Sequence, residues 1–392
     1  MTGRRLRAVV LAAGLACLAA GRLGPSGADG GGEALAAPTR AKPERVVLVV
    51  LGGGVRTEEM LGRPDLMPTV REIGRAGVVS GGWAAGGDDP VDATEAILTG
   101  RDVPPTTPNP TRPAHPTVLE YARKVFPDPH AVWYASYADG EALDLAVSGH
   151  AAFGAAFAPS FAVGDGPFGE PLKGLFARFG RPNPTPARAW ALLDAMRDAT
   201  AAAASRRGVA PPTAAAAAEE RRLERALLEE VDRRATGLAG PAGLDARALR
   251  AGLTVLKVFR PRLLVVRLGQ ADVAMKDLYG YWDVLKRDDA ELARFRRELA
   301  ADPALATTTT LIVVADLGRD AAQNAAGGYS RGDGSASLRT VALVAEGAGV
   351  RAGAVARAPR ATRDLCPTIG RLLGVPTPFA EGRARDDLFV FD

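Results

Sequence analysis

Leu311-Ile312-Val313-Val314-Ala315-Asp316-Leu317-Gly318 runs apolar residues without a break into a carboxylate and a glycine. An uninterrupted β-branched and aliphatic run predicts a strand buried on both faces, the kind found in parallel sheets. Open α/β sheets carry their chemistry outside the carboxyl ends of such strands. Asp316 is therefore a candidate functional residue by its place in the chain.

A second run of the same kind spans 46–51 and ends in Gly52-Gly53-Gly54. Further strands are predicted at 132–134, 263–268 and 341–344. Helical patterns fall between them at 67–77, 91–98, 116–125, 281–300 and 364–373. This alternation argues for an α/β doubly wound sheet. Residues 185–252 differ, being rich in Ala, Arg, Glu and Leu, with 219–234 helical and laced with charge. They are expected to form a helical insertion between two halves of one sheet, or an alanine-rich linker broken at Pro211-Pro212. Trp133-Tyr134 with Tyr137 fits either a cleft wall or a buried strand edge.

The chain has 392 residues, 47% hydrophobic and 24% charged, as expected of a globular protein. Arg4, Arg5 and Arg7 precede an apolar stretch over 8–20, too short to span a bilayer. Residues 1–36 are expected to be a signal peptide with a small-residue cleavage site at Ala34-Leu35-Ala36. Cys17 is either part of the signal's apolar core or a lipidated cysteine that tethers the protein to a membrane. Residues 37–43 read as a linker and 44–392 as one domain. Beyond the signal only Cys366 remains, which leaves no internal disulfide. Removing 1–36 takes away four arginines and two acids, and the formal charge falls from +4 to +2. Such near-neutrality gives no footing for a nucleic acid partner.

The landmarks fall in a particular order. Gly53-Gly54-Val55-Arg56 is followed by Met67-Pro68-Thr69-Val70, then by Ala96-Ile97-Leu98-Thr99-Gly100-Arg101. Later come 262–272, 309–318, Gly327-Gly328-Tyr329, and 362–369 leading to Leu373-Gly374. In this order and spacing the chain resembles the alkaline phosphatase superfamily, which includes sulfatases and nucleotide pyrophosphatase/phosphodiesterases. The resemblance frames 46–389 outside the insertion. It implies an alkaline-phosphatase-like three-layer α/β sandwich with a mostly parallel central sheet. It also implies phosphate- or sulfate-ester chemistry on two divalent metals, usually zinc, with a Ser, Thr or modified Cys nucleophile. Two cations hold the attacking and leaving oxygens, and each needs three or more N, O or S ligands.

Carried over position by position, that equipment is mostly missing. The aspartate after the first strand is Gly53, and the nucleophile position is Pro90, with Asp88, Asp89, Asp92 and Thr94 as neighbours. The Asp-x-x-x-His motif reads Asp272-Val273-Ala274-Met275-Lys276, the Asp-His pair reads Asp316-Leu317, and the final histidine is Tyr329. Two of six implied ligands remain, Asp272 and Asp316. The three histidines of the chain, His115, His130 and His150, all precede the second half and read as loop or surface residues.

Several expectations follow from the residues themselves. Asp272 and Asp316 are either a residual cation site or turn-capping side chains that accept backbone N–H groups. Lys276 is expected to replace the lost metal charge beside them, since two buried acids without a counter-charge are costly. The glycine turn at 52–54 could offer its N–H groups to an anion, or serve only as a tight turn. The expected function is an exported pseudoenzyme of the periplasm or cell envelope with no cofactor. One alternative is an ester hydrolase with an atypical metal site, zinc for instance, that adds Asp89 or Asp92 to the two remaining acids. Another is a structural envelope protein with no ligand.

Overall fold

Strand β1 (Arg45–Leu51) is buried at every position, as its apolar sequence requires of a strand covered on both faces. It lies at the middle of a seven-stranded sheet in the computed structural model, which describes residues 42–104, 112–136, 145–163 and 243–391. The strand order is β2-β7-β6-β1-β5-β3-β4. The other strands are β2 (Val78–Ala84), β3 (Val132–Ser136), β4 (Ser160–Val163), β5 (Leu263–Arg267), β6 (Thr309–Ala315) and β7 (Thr340–Gly347). β1 pairs parallel with β5 on one side and β6 on the other, and β5, β3 and β4 continue in parallel. β7 alone runs against the rest, pairing antiparallel with β6 on one side and with β2 on the other.

Six longer helices cover the sheet: α1 (Pro68–Ala76), α2 (Pro90–Thr99), α3 (Val118–Val125), α4 (Leu244–Phe259), α5 (Leu278–Ala300) and α6 (Leu365–Leu373). α1 and α4 each pack on α5, while α2, α3 and α6 pack on one another, and this makes the two outer layers. A bidentate pair between Arg296 of α5 and Glu346 of β7, at 2.7 and 3.0 Å, joins one layer to the sheet. Among the described residues no helix is long and apolar enough to cross a membrane.

The doubly wound sheet and every strand expected among the described residues are present. Two strands escaped the apolar pattern. β2 alternates buried and exposed positions as an edge strand does, and a register shift between Ser80 and Trp83 breaks its period. β4 has only four residues.

The insertion assigned to 185–252 is too long at its carboxyl end. Residues 244–252 open α4, which packs on the sheet so tightly that a Cβ on Gly252 would lie 2.8 Å from Val266. The rest of the insertion up to 242, the export segment with Cys17, and Tyr137 lie outside the described residues.

His130 is not a surface residue. It is buried and stacks on Phe259, with ring centroids 4.3 Å apart. His115 and His150 are half-buried in loops, and His150 packs against Phe379. Trp133 and Tyr134 are buried in β3, inside the sheet.

Candidate functional site

β6 ends at Ala315, and the next residue, Asp316, is fully buried at the carboxyl edge of the sheet. Beside it β1 runs into the turn Gly52-Gly53-Gly54. Gly53 and Gly54 both have φ +86°, a backbone region that costs a side-chain-bearing residue about 1–3 kcal/mol. The turn they make brings their consecutive N–H groups to one side, where they form an anion-binding concavity. The anion it holds is the protein's own. Gly53 N–H donates to Asp316 Oδ2 at 3.1 Å and Gly54 N–H to Oδ1 at 3.2 Å. Leu317 N–H adds a bond to Oδ1 at 2.6 Å, and the Thr94 hydroxyl one to Oδ2 at 3.3 Å.

Thr94 sits one turn into α2 and is fully buried. Its oxygen also accepts from Arg267 Nε at 3.3 Å. Arg267 is the last residue of β5, and its buried guanidinium is the nearby counter-charge. Burial raises the Asp316 pKa to about 6, against the pull of Arg267 and of the three N–H groups.

Asp272 lies in a 3-10 turn, Gln270–Met275, just beyond β5, and its side chain is 53% exposed. It does not meet Asp316. Between them stands Arg319, which has no exposed surface. Its Nε donates to Gly54 O at 3.0 Å, and Nη1 to Tyr329 O at 3.0 Å. Nη2 donates to Gly53 O, to Ala271 O at 3.1 Å and to Asp272 Oδ1 at 3.2 Å. A second guanidinium, Arg331, reaches Asp272 Oδ1 at 3.1 Å.

The expected substitute for the metal charge is therefore misplaced. Lys276 is exposed at the end of the 3-10 turn, while Arg319 and Arg331 meet Asp272 and Arg267 serves Asp316. Sequence reasoning missed all three arginines and marked Thr94 only as a neighbour of the nucleophile position. One signal was available: Arg267 closes an otherwise apolar strand, whereas the burial of Arg319 shows only in the structure, where 311–320 is buried throughout.

The remaining marked positions are built into the fold. Pro90 is the first residue of α2, where its missing N–H costs nothing. Asp89 caps that helix by accepting from Val91 and Asp92 N–H at 2.7 and 3.0 Å. Leu317 is buried against Ala93 and Leu338. Tyr329 lies under the Arg56 guanidinium, 4.3 Å from ring centroid to carbon.

With the fold and this geometry in place, the class is plain: the chain has the fold of the alkaline phosphatase superfamily. The wild-type alkaline phosphatase PafA matches with a TM-score of 0.54 at 10% identity, over 89% of this chain and 99% of that one. BT1596, a 2-O GAG sulfatase, matches at 0.50 and 10%, over 88% and 73%. The lipoteichoic acid synthase LtaP from Listeria monocytogenes matches at 0.50 and 11%, over 91% and 78%. No protein-family model matches the chain, and no curated protein matches it by sequence.

The donor set does not fit the pair of divalent cations that the superfamily implies. All four hydrogen bonds to Asp316 come from donors of the protein itself, and Leu317 offers only a hydrocarbon. A Cβ at Gly53 would lie 2.7 Å from both Asp272 N and Gly269 O, so an aspartate has no room there. A guanidinium fills the space beside Asp272. Among the described residues no three His, Cys, Asp or Glu side chains converge as ligands. Gly53→Asp, which restores the superfamily's residue, is expected to destabilise the protein by about 2 kcal/mol or more. Thermal unfolding measured beside metal analysis checks this, and an undiminished midpoint with stoichiometric zinc would contradict it.

Proposed function

We propose that this protein is a non-catalytic pseudoenzyme with the alkaline phosphatase fold. It is exported and acts by binding or scaffolding in the cell envelope, either freed by cleavage after Ala36 or tethered by a lipid on Cys17. One observation carries the loss of catalysis: both oxygens of Asp316 are taken by Gly53, Gly54, Leu317 and Thr94. A carboxylate engaged in this way has no lone pair left for a cation without breaking bonds that hold the turn. Pro90 at the nucleophile position points the same way, since proline has no group to attack phosphorus or sulfur. The export reading rests on the cationic and apolar pattern of residues 1–36.

The test pairs metal analysis of the purified protein with assays on generic phosphomonoester, phosphodiester and sulfate-ester substrates, with and without added zinc. The expected result is sub-stoichiometric metal and no turnover above that of an Asp316→Ala control. Stoichiometric zinc with turnover abolished by Asp316→Ala would establish the atypical hydrolase instead.

A further inference from the structure

Arg319 draws on acceptors from three separate segments. Gly53 O and Gly54 O belong to the turn after β1, Ala271 O and Asp272 Oδ1 to the turn after β5, and Tyr329 O to the loop after β6. Gly53, Asp272 and Tyr329 are also positions where the resemblance places metal ligands. The acceptors match the fork of a guanidinium, which has five N–H donors in one plane and takes neutral carbonyls as readily as a carboxylate. Carbonyls dominate this set, and four of them with one carboxylate suit a planar monovalent cation better than zinc.

We infer that this chamber is a guanidinium site, with the Arg319 side chain as its resident cation in place of a metal. It ties the three segments together from inside the chain. Emptied of that side chain, it takes up a free guanidinium ion of the right size. The inference deepens the non-catalytic reading, but it is tested by binding and stability rather than by turnover. Ester hydrolysis by the wild type would sink the earlier reading and leave this one standing.

The experiment is chemical rescue of Arg319→Ala, which keeps Cβ and removes the part that ethylguanidinium replaces. Thermal unfolding is followed with millimolar ethylguanidinium, potassium or zinc, on the variant and on the wild type. The variant is expected to unfold about 5–10 °C below the wild type. Ethylguanidinium should restore most of that loss saturably without raising the wild type, and potassium and zinc should not. If the variant fails to fold alone, recovery of folded protein only on refolding with ethylguanidinium supports the site. Arg319→Lys keeps the charge and loses the fork, so it should stay destabilised. A wild-type midpoint for either variant, no rescue by ethylguanidinium, no recovery on refolding, or rescue by zinc would each overturn the inference.

Discussion

Between about pH 5 and about pH 8 the unfolding temperature of this protein is expected to fall, because the folded state holds protons that the unfolded chain gives up. The groups responsible include Asp316, already placed at about 6, two carboxyls on α2, and Asp288 on α5. Asp92 is 7% exposed, and burial, then the charge of Asp89, pushes its pKa up to about 6. Glu95 is one turn further on and 8% exposed. Burial, then the charge of Asp92, raises it to about 7. Between α4 and α5, burial and the charge of Asp245 raise Asp288 well above the ordinary carboxyl range. Each folded-state pKa lies above its unfolded value. The stabilisation is therefore whole below about pH 4 and drains away as the pH climbs through about 6 to 7.

For Asp92 and Glu95 the linkage is worth up to about 3 kcal/mol apiece. Of the carboxyls shifted the other way, Asp65 beside Arg63 and Glu298 beside Lys257 lie near the surface, where solvent screens them. Asp387, whose side chain is largely buried and bonded to Arg385, opposes the trend. Thermal unfolding in buffers of constant ionic strength measures the slope. Glu95→Gln should raise the midpoint at the alkaline end and leave it unchanged at the acid end. A midpoint that climbs steadily with pH would refute the assignment.

Asp316→Ala is expected to destabilise the fold by about 3–5 kcal/mol. The substitution leaves three buried N–H groups and the Thr94 hydroxyl without their acceptor, and strips Arg267 of the carboxylate that balances it. A ligand whose only work is to hold a metal behaves differently, because its removal spares or even steadies the metal-free fold. Denaturant unfolding of both proteins in a chelator separates the two cases. A variant as stable as the wild type under those conditions would show that Asp316 is not a structural hub.

Much of the frame was legible in the sequence because burial on both faces leaves continuous apolar runs. The runs at 46–51 and 311–315 needed nothing else. The edge strand β2 was not legible, because Gly81 and Gly82 interrupt its alternation where the register shifts. The site was legible only as a set of replaced positions. Gly53, Pro90 and Leu317 announce which side chains are missing, but a one-dimensional pattern does not show what fills their place. Arg319 is an ordinary surface residue by type, and only the depth of the 311–320 segment makes it a core one. Lys276 was the nearer candidate along the chain, yet the end of the 3-10 turn leaves it in solvent.

The Gly53-Gly54 dipeptide gives its N–H groups to Asp316 and its carbonyls to Arg319. Acid and base are thus wired in series through two peptide units and a three-residue spacing along the chain. A cation tethered so closely competes at an effective concentration of at least millimolar order, whatever the surroundings supply. Free zinc, scarce and untethered, would have to win that contest on every molecule. If the guanidinium holds the centre as inferred, the protein is expected to keep one shape in metal-rich and metal-starved surroundings alike.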